Sequence, residues 1–347
     1  MRGERDIWHK KIYYTYHFYP LAAHNGSIYC GDVNGNIYQR PGNIETPGWC
    51  RNIGVREKIT TINFFGDDVM IIGTLKGSIF RSEPPYTTFT KVLQMTGILA
   101  WPRTWSVAGD DTIIFVGEYG SKDMGPQYNG RRVYKSIDNG VTWQQCWISP
   151  FENGSHIHKL LLDPVSKDLY VCTGDGVDYA RVFKLSPPNY DTGNVVATGI
   201  QPTGGLMFDD FILWVQDSGP YGIYKQDKST YSLELVFDLS QYPDYSDTGF
   251  DGLALSPDGI VYYATYPSVD ANNKKIGLFR SKPPYADWEL LSTIDEFVGK
   301  GVSDAGVFTI VSASDDEVLG HLCRSYGYVE EIICPIKFIY YLKDLRT

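Results

Sequence analysis

Short runs of alternating apolar and polar residues, separated by Gly, Asp, Asn and Pro, fill this chain from one end to the other. The clearest set is ITTINFF (59–65), VMIIGT (69–74), SIFRS (78–82) and FTKVLQ (89–94). Runs of this length are too short for typical helices, and the residues between them favour tight turns. The pattern therefore predicts sheets of four antiparallel strands joined by hairpins.

One strand signature recurs seven times: an aliphatic residue, then usually an aromatic one, then usually a basic one. The copies are IYQR (37–40), IFRS (79–82), VYKS (133–136), VFKL (182–185), IYKQ (223–226), LFRS (278–281) and LCRS (322–325). Successive copies begin 42, 54, 49, 41, 55 and 44 residues apart. This period is typical of a four-stranded propeller blade. The sequence thus predicts an all-β fold, a seven-bladed β-propeller of four-stranded antiparallel blades.

A second apolar strand precedes each signature. These strands are SIYCGD (27–32), VMIIGT (69–74), TIIFVGEY (112–119), DLYVCTGD (168–175), FILWVQD (211–217), IVYYATY (260–266) and VFTIVSA (307–313). Several are apolar almost throughout, which indicates strands covered on both faces by neighbouring sheets.

We expect one domain spanning 1–347, because no linker interrupts the repeats. An open ring would expose unpaired strand edges at its first and last blades. The terminal segments KIYYTYHF (11–18) and KFIYYL (337–342) are candidates to close it by pairing the two ends of the chain.

Composition narrows the classes of partner. The net charge is −10, with 41 acidic and 31 basic residues, and no Lys/Arg cluster supplies the positive face that nucleic acid needs. No apolar run reaches the roughly 18 residues of a membrane span, and no signal peptide is recognised, so the location in the cell is not predicted. The six cysteines have no metal-site spacing and are expected to be buried thiols, although a Cys323–Cys334 pair stays open.

The third signature is followed by S-I-D-N-G-V-T-W (136–143), and SEPPYTTF (82–89) and SKPPYADW (281–288) are degenerate versions. Asp138 and Gly140 predict a tight turn in which the carboxylate accepts backbone N–H groups, with Trp143 packed beneath it. This octapeptide resembles the Asp box (BNR repeat) of the sialidase-like β-propeller superfamily. The resemblance implies a propeller in which the turn is structural. Sialidase activity is not expected, since the F/Y-R-I-P motif of sialidases is absent.

A narrower resemblance covers about residues 100–180. Arg103, GEYG (117–120), HIHK (156–159) and CTGD (172–175) resemble a subgroup of Asp-box propellers. The general shape and site composition are also similar to those of seven-bladed polysaccharide lyases. Those enzymes bind an acidic sugar at the propeller axis and use His, Tyr and Arg, which implies a poly- or oligosaccharide partner.

In a propeller, segments that enter the first strand of a blade and segments that leave its second strand form one mouth. This rule brings together the predicted catalytic residues His156, His158, Tyr119 and Glu118 and the predicted substrate-binding residues Arg103, Trp105, Asp175 and Asp251. Arg103 would clamp a carboxylate, a histidine would take the proton beside it, and Tyr119 would protonate the leaving oxygen.

Several of these assignments have a structural alternative, and Arg103 could instead be an exposed loop arginine. The two histidines, which share one face of a strand, could instead satisfy buried backbone groups or bind a metal. Glu118 could pair with Arg131 or Arg132, and Asp175 could cap a turn. No cofactor is expected, with calcium at the acidic loop 244–251 left open.

Three functions remain: a lyase or hydrolase of an acidic, uronate-containing polysaccharide as the main prediction, a non-catalytic carbohydrate-binding propeller, and a protein-interaction scaffold. Oligomeric state is not predicted.

Overall fold

A computed structural model describes residues 11–14, 19–25, 27–41, 49–97, 102, 106–119, 130–151, 156–174, 178–217, 219–245, 253–265, 276–294, 306–313, 317–324 and 335–341. These residues form β-strands and one 3₁₀ turn, Leu239–Gln241, and no α-helix lies among them. The chain divides into two compact units. One is Pro20–Ile212 with Asp227–Ser232, and the other is Met1–Tyr19, Leu213–Gln226 and Leu233–Thr347.

Six four-stranded sheets are each built from four consecutive strands. Sheet I contains β2 (Tyr19–His24), β3 (Ser27–Gly31), β4 (Asn36–Pro41) and β5 (Cys50–Asn52). Sheet II contains β6 (Ile59–Phe65), β7 (Val69–Thr74), β8 (Ser78–Ser82) and β9 (Thr90–Gln94). Sheet III contains β10 (Val107–Gly109), β11 (Ile114–Gly117), β12 (Arg132–Ser136) and β13 (Gln144–Ile148). Sheet IV contains β14 (His156–Leu162), β15 (Leu169–Gly174), β16 (Arg181–Leu185) and β17 (Gly193–Thr198).

Sheet V contains β18 (Pro202–Met207), β19 (Phe211–Gln216), β20 (Gly222–Asp227) and β21 (Leu233–Asp238). Sheet VI contains β22 (Leu253–Leu255), β23 (Val261–Ala264), β24 (Ile276–Ser281) and β25 (Trp288–Ile294). A further four-stranded sheet joins both ends of the chain, in the order β26 (Gly306–Ala313), β27 (Glu317–Arg324), β28 (Pro335–Tyr341) and β1 (Lys11–Tyr14). Within it β1 and β28 are antiparallel, with Lys11 opposite Ile339.

The first six signatures lie on the third strands of sheets I to VI, as the sequence predicts. For the seventh copy of the signature, the strand position predicted from the sequence is wrong by one strand. VFTIVSA, expected as the second strand of its sheet, lies in β26, which begins that sheet and contacts β22. Residues 322–324 of the LCRS copy end the second strand, β27. LCRS carries cysteine where the other copies carry an aromatic residue, so only its aliphatic and basic positions matched the pattern.

The signature places its three residue types on different neighbours. Between sheets I and II, Ile37 packs with Phe80, and between sheets II and III, Ile79 packs with Tyr134. Between sheets III and IV, Val133 packs with Phe183. Because successive residues of a strand face opposite sides, the third strands at these three interfaces direct an aliphatic residue to the following sheet and an aromatic residue to the preceding one.

In sheets II and III the basic residue of the signature joins its sheet to the outer turn of the next one. Arg81 Nε donates to the Asn139 carbonyl at 2.7 Å. Lys135 Nζ donates to the carbonyls of Pro188 and Asn189 at 2.9 and 3.0 Å. Each acceptor lies in the turn between the third and fourth strands of the following sheet. The positive side chain therefore fixes the spacing of neighbouring sheets, in addition to the apolar contacts.

The Asp138 turn follows β12 as predicted. Asp138 accepts hydrogen bonds from the Thr142 N–H at 2.8 Å and the Ser136 hydroxyl at 2.8 Å, and Trp143 Nε1 donates to the Gly140 carbonyl at 3.0 Å. The hydrogen bond from the Thr142 hydroxyl is the main cause that lowers the pKa of Asp138. Gly140 has φ +79°, and a Cβ there would lie 2.6 Å from Ile71 Cδ1 of sheet II. The turn is thus a packing element between two sheets.

A second turn device recurs that the sequence analysis missed. Tyr86, Tyr190 and Tyr285 follow Pro-Pro or Pro-Pro-Asn in turns between third and fourth strands, with φ of 58°, 60° and 66°. Their hydroxyls donate at 2.9, 2.9 and 3.0 Å to backbone carbonyls in the first hairpin turn of the same sheet, those of Asp68, Lys167 and Gly259. Each tyrosine thereby ties the two turns of its sheet together.

We predict that Lys135→Met lowers the free energy of unfolding by about 2 kcal/mol, because two charge-assisted hydrogen bonds are lost at a side chain that is 7% exposed. Lys76→Met is the matched control, since this exposed side chain lies in the β7–β8 turn and its removal should change stability by less than about 0.5 kcal/mol. Urea unfolding followed by tryptophan fluorescence measures both. Equal effects of the two substitutions would contradict an inter-sheet role for Lys135.

Candidate functional site

Four predicted site residues meet where sheets III and IV adjoin. Glu118 and Tyr119 directly follow β11, and His156 and His158 begin β14. The Ile157 N–H donates to the Glu118 carbonyl at 3.0 Å, which locks the end of the second strand of sheet III to the first strand of sheet IV. The predicted grouping of these four residues is therefore present.

The two imidazoles are in direct contact. His156 Nε2 and His158 Nε2 are 2.6 Å apart, and the side chains are only 3% and 1% exposed. The register of β14 against β15 shifts between Ile157 and Lys159, so His158 lies at a bulge. One ring must donate and the other accept, so at least one imidazole is neutral at that nitrogen. The arrangement can pass a proton between the rings, but little of either ring reaches solvent.

Gly174 at the end of β15 provides the space for His158. A Cβ at Gly174 would lie 2.1 Å from His158 Cε1 and 2.5 Å from both ring nitrogens. His156 is paired with Gly174 in the strand register. The glycine of the CTGD segment is thus required by the histidine ring, a role that the sequence analysis did not assign.

Tyr119 covers the histidine pair. Its ring centroid lies 4.0 Å from that of His156 at an interplanar angle of 33°, and 6.1 Å from that of His158. Tyr119 is half-buried, whereas the other three residues of the group are buried. It is therefore the member of the group that a ligand could touch without a rearrangement.

Glu118 is 0% exposed and is surrounded by donors. Its Oε1 accepts from the Gly97 N–H at 3.0 Å and the Tyr134 hydroxyl at 2.8 Å. Its Oε2 accepts from the N–H and the guanidinium of Arg132, both at 3.2 Å. Burial, and then the charge of Glu118, raise the pKa of Tyr134. A buried carboxylate that accepts from four donors fixes the position of the chain segments that supply them.

Of the two alternative partners expected for Glu118, Arg132 makes the ion pair, while Arg131 donates to the carbonyls of Ser149 and Phe151. Tyr134 was not predicted as a site residue. The sequence did contain a signal for Tyr134: the second signature position is a phenylalanine in the two flanking sheets, Phe80 and Phe183, and a tyrosine in sheet III. Its extra hydroxyl reaches Glu118.

The predicted substrate-binding residues Arg103, Trp105, Asp175 and Asp251 lie outside the described residues, as does most of the acidic loop 244–251. Within the described part of the chain, no cluster of three or more His, Cys, Asp or Glu residues could hold a metal ion. In the same part, no helix has the length and apolar character needed to cross a bilayer. Cys30 and Cys172 are buried thiols, and Cys50 is exposed.

Comparisons with known proteins identify the fold. No family model and no curated protein matches the chain. Among solved structures, a chain of "Crystal Structure of Mitotic Checkpoint Complex" is similar, with 10% identity and a TM-score of 0.59, over 94% of this chain and 89% of that one.

Two further similar structures are "YCF48 from Cyanidioschyzon merolae" and "YCF48 bound to D1 peptide". The first has 13% identity, a TM-score of 0.58 and coverage of 96% of this chain and 98% of that one. The second has 14% identity, a TM-score of 0.58 and coverage of 99% and 97%. These neighbours are β-propellers, and with the four-stranded antiparallel sheets they establish that this chain is a β-propeller.

We predict that Gly174→Ala lowers the free energy of unfolding by about 2 kcal/mol, because the new methyl group overlaps the buried His158 ring. In a His158→Ala background, the same glycine substitution should cost less than about 0.5 kcal/mol, since the obstructing ring is gone. Denaturant unfolding of the two single variants and the double variant measures this coupling. Additive effects would refute the contact.

Proposed function

We propose that this chain is a non-catalytic binding propeller that recognises an extended segment of a protein partner. The observation that carries the proposal is the state of the predicted catalytic residues. Glu118, His156 and His158 are at most 3% exposed, and their hydrogen bonds are made to one another or to the surrounding chain. A general base must reach the proton it removes, and these groups are enclosed.

The proposed contact surface consists of Val33, Leu75 and Tyr119, which we call the second-turn surface. Val33 and Leu75 are each 41% exposed and lie in the β3–β4 and β7–β8 turns, and Tyr119 lies in the β11–β12 connection. All three belong to the connection between second and third strands in three consecutive sheets. Two aliphatic side chains and an aromatic ring at one end of neighbouring sheets suit the side chains of an extended peptide.

Structural similarity agrees with the proposal. One similar propeller carries a bound peptide, as its title "YCF48 bound to D1 peptide" states. At 14% identity the likeness supports the fold and does not identify a ligand for this chain. It does favour a peptide-binding interpretation over catalysis as a use for this architecture.

The proposal includes a finer architecture: seven blades in one ring over 1–347, with the sheet of β26, β27, β28 and β1 as the closing blade. The pairing of β1 with β28 supports closure by both chain ends. We also propose that the chain belongs to the Asp-box superfamily. The hydrogen bonds around Asp138 support this assignment. Its packing between sheets agrees with a structural role.

The second candidate is the carbohydrate function, as a lyase, a hydrolase or a carbohydrate-binding propeller. The adjacent imidazoles with Tyr119 stacked on His156 favour it, because this trio contains a base and an acid within one cluster. Catalysis would require the cluster to open toward the substrate.

We expect linear peptides selected from a displayed random library on the immobilised full chain to bind through the second-turn surface. Tyr119→Ala and Leu75→Ala should each weaken a selected peptide by about tenfold or more, as for central aromatic and apolar anchors. Ile137→Ala is the control, because Ile137 is exposed in the Asp138 turn, at the third-to-fourth strand connection. Fluorescence anisotropy gives the affinities. Failure to select any peptide, or equal losses in all three variants, would reject the proposal.

We expect no lyase turnover when the full chain is incubated with polygalacturonate, alginate and ulvan and the ultraviolet absorbance of unsaturated uronate is followed. The expectation rests on the enclosure of His156 and His158. Turnover that His158→Gln abolishes while the chain stays folded by circular dichroism would instead establish the second candidate.

A further inference from the structure

A separate polar depression lies on sheet I, organised by the buried carboxylate of Asp32. Its Oδ1 accepts the N–H groups of Asn34 and Asn36, both at 2.8 Å. Its Oδ2 accepts from Asn36 Nδ2 at 2.7 Å and from the Tyr38 hydroxyl at 3.3 Å. Asp32 is 3% exposed, so these bonds fix the β3–β4 turn and the position of its two asparagines.

Asn52 extends this network to the segment after β5. Its Nδ2 donates to Asn36 Oδ1 at 2.8 Å and to the Asn34 carbonyl at 3.1 Å, and its Oδ1 accepts the Gly54 N–H at 2.8 Å. The two segments approach closely at Gly35, which has φ +80°, and a Cβ there would lie 2.2 Å from the Val55 carbonyl oxygen. The walls of the depression are therefore held in place before any ligand arrives.

The depression has a volume of about 650 Å³, within the range of small-ligand sites. It is lined by Asn34, Asn36, Asn52, Gly54, Val55 and Arg56. Arg56 is exposed, and within the described part of the chain its guanidinium has no hydrogen bond or ion pair. It is the charged group of the lining, and its donors remain available.

We infer that this depression binds a carboxylate of a peptide, either an acidic side chain or a C-terminal group, with Arg56 as the principal contact. A guanidinium presents paired N–H groups that match the two oxygens of a carboxylate. The carboxamide of Asn34, which is exposed, can pair with a neighbouring peptide group, and Val55 offers aliphatic contact. The inference rests on the proposed peptide-binding function and adds a chemical preference to it.

The lining also distinguishes a peptide from a sugar acid, which carries the same carboxylate. Sites for pyranose rings usually present an aromatic side chain for stacking, and none is among the described lining residues. The depression opens on the β3–β4 turn, which also carries Val33 of the second-turn surface. A peptide on that surface could therefore place an acidic group here.

The test is a side-chain NMR titration of the ¹⁵N-labelled full chain with N-acetyl-Gly-Glu-Gly-amide. We expect saturable shifts of the Arg56 Nε–H and Asn34 carboxamide signals, with a dissociation constant on the order of 1 mM. Arg56→Gln should weaken binding about tenfold or more, enough to remove saturation over the same concentrations. Arg56→Lys should recover part of it, because the charge remains but the paired donors do not.

Arg51→Gln is the matched control, since Arg51 is an exposed arginine nearby on β5 whose guanidinium lies 5.5 Å from the Trp49 ring. It should bind the probe like the native chain, and N-acetyl-Gly-Gln-Gly-amide should produce no saturable shift. Equal losses in Arg51→Gln and Arg56→Gln, or no shift of Arg56, would overturn the inference. Equal or tighter binding of galacturonate would overturn the peptide assignment. Selected peptides that depend on Tyr119 but not on Arg56 would leave the proposed function standing and reject this site alone.

Discussion

Across the interfaces between sheets I to IV, the third strand of each sheet supplies the interaction on which the packing depends. Its aliphatic residue enters the interface with the following sheet, and its aromatic residue enters the interface with the preceding one, as Ile79 and Phe80 do. In sheets II and III the basic residue, Arg81 or Lys135, reaches carbonyl groups in the outer turn of the following sheet, whereas Arg280 of sheet VI pairs with Glu289 of its own sheet. Apolar burial alone is non-directional, so the charged contact adds the positional restraint that burial lacks. Three consecutive residues thus contain the packing rule for neighbouring sheets.

This rule explains why so much of the fold could be predicted from sequence. Strands such as β6, β7 and β8 begin and end where the alternation places them, because one or both of their faces are buried. Other structural features do not change the alternation of apolar and polar residues along the chain. In sheets II to VI the register of the third and fourth strands shifts between the first and second signature positions. A bulge changes which residues are opposite each other without changing the apolar pattern, so sequence reasoning could not find it.

In the candidate site, too, the sequence predicted some features and could not predict others. The two-residue spacing of His156 and His158 predicted a shared face, and the rings do meet. The spacing could not predict their enclosure, which depends on the bulge in β14 and on the space left by Gly174. For Glu118 the sequence offered both a catalytic and an ion-pair interpretation. Choosing between them required the donors from Gly97 and Tyr134, which come from distant positions in the chain.

Residues whose hydrogen bonds are made within the chain build this propeller. Residues that are exposed at its surface are the ones available to a partner. Asp32, Asp138 and Glu118 each accept several hydrogen bonds from the surrounding chain, although the sequence offered Glu118 as a catalytic acid. Such carboxylates stabilise the connections that carry them, because each acceptor keeps its donors. Arg56 is exposed in the segment after β5, which Asn52 links to the Asp32 network, and half-buried Tyr119 directly follows Glu118. A rigid segment that presents an exposed charged side chain suits recognition, because a partner can then bind at little cost in conformational entropy.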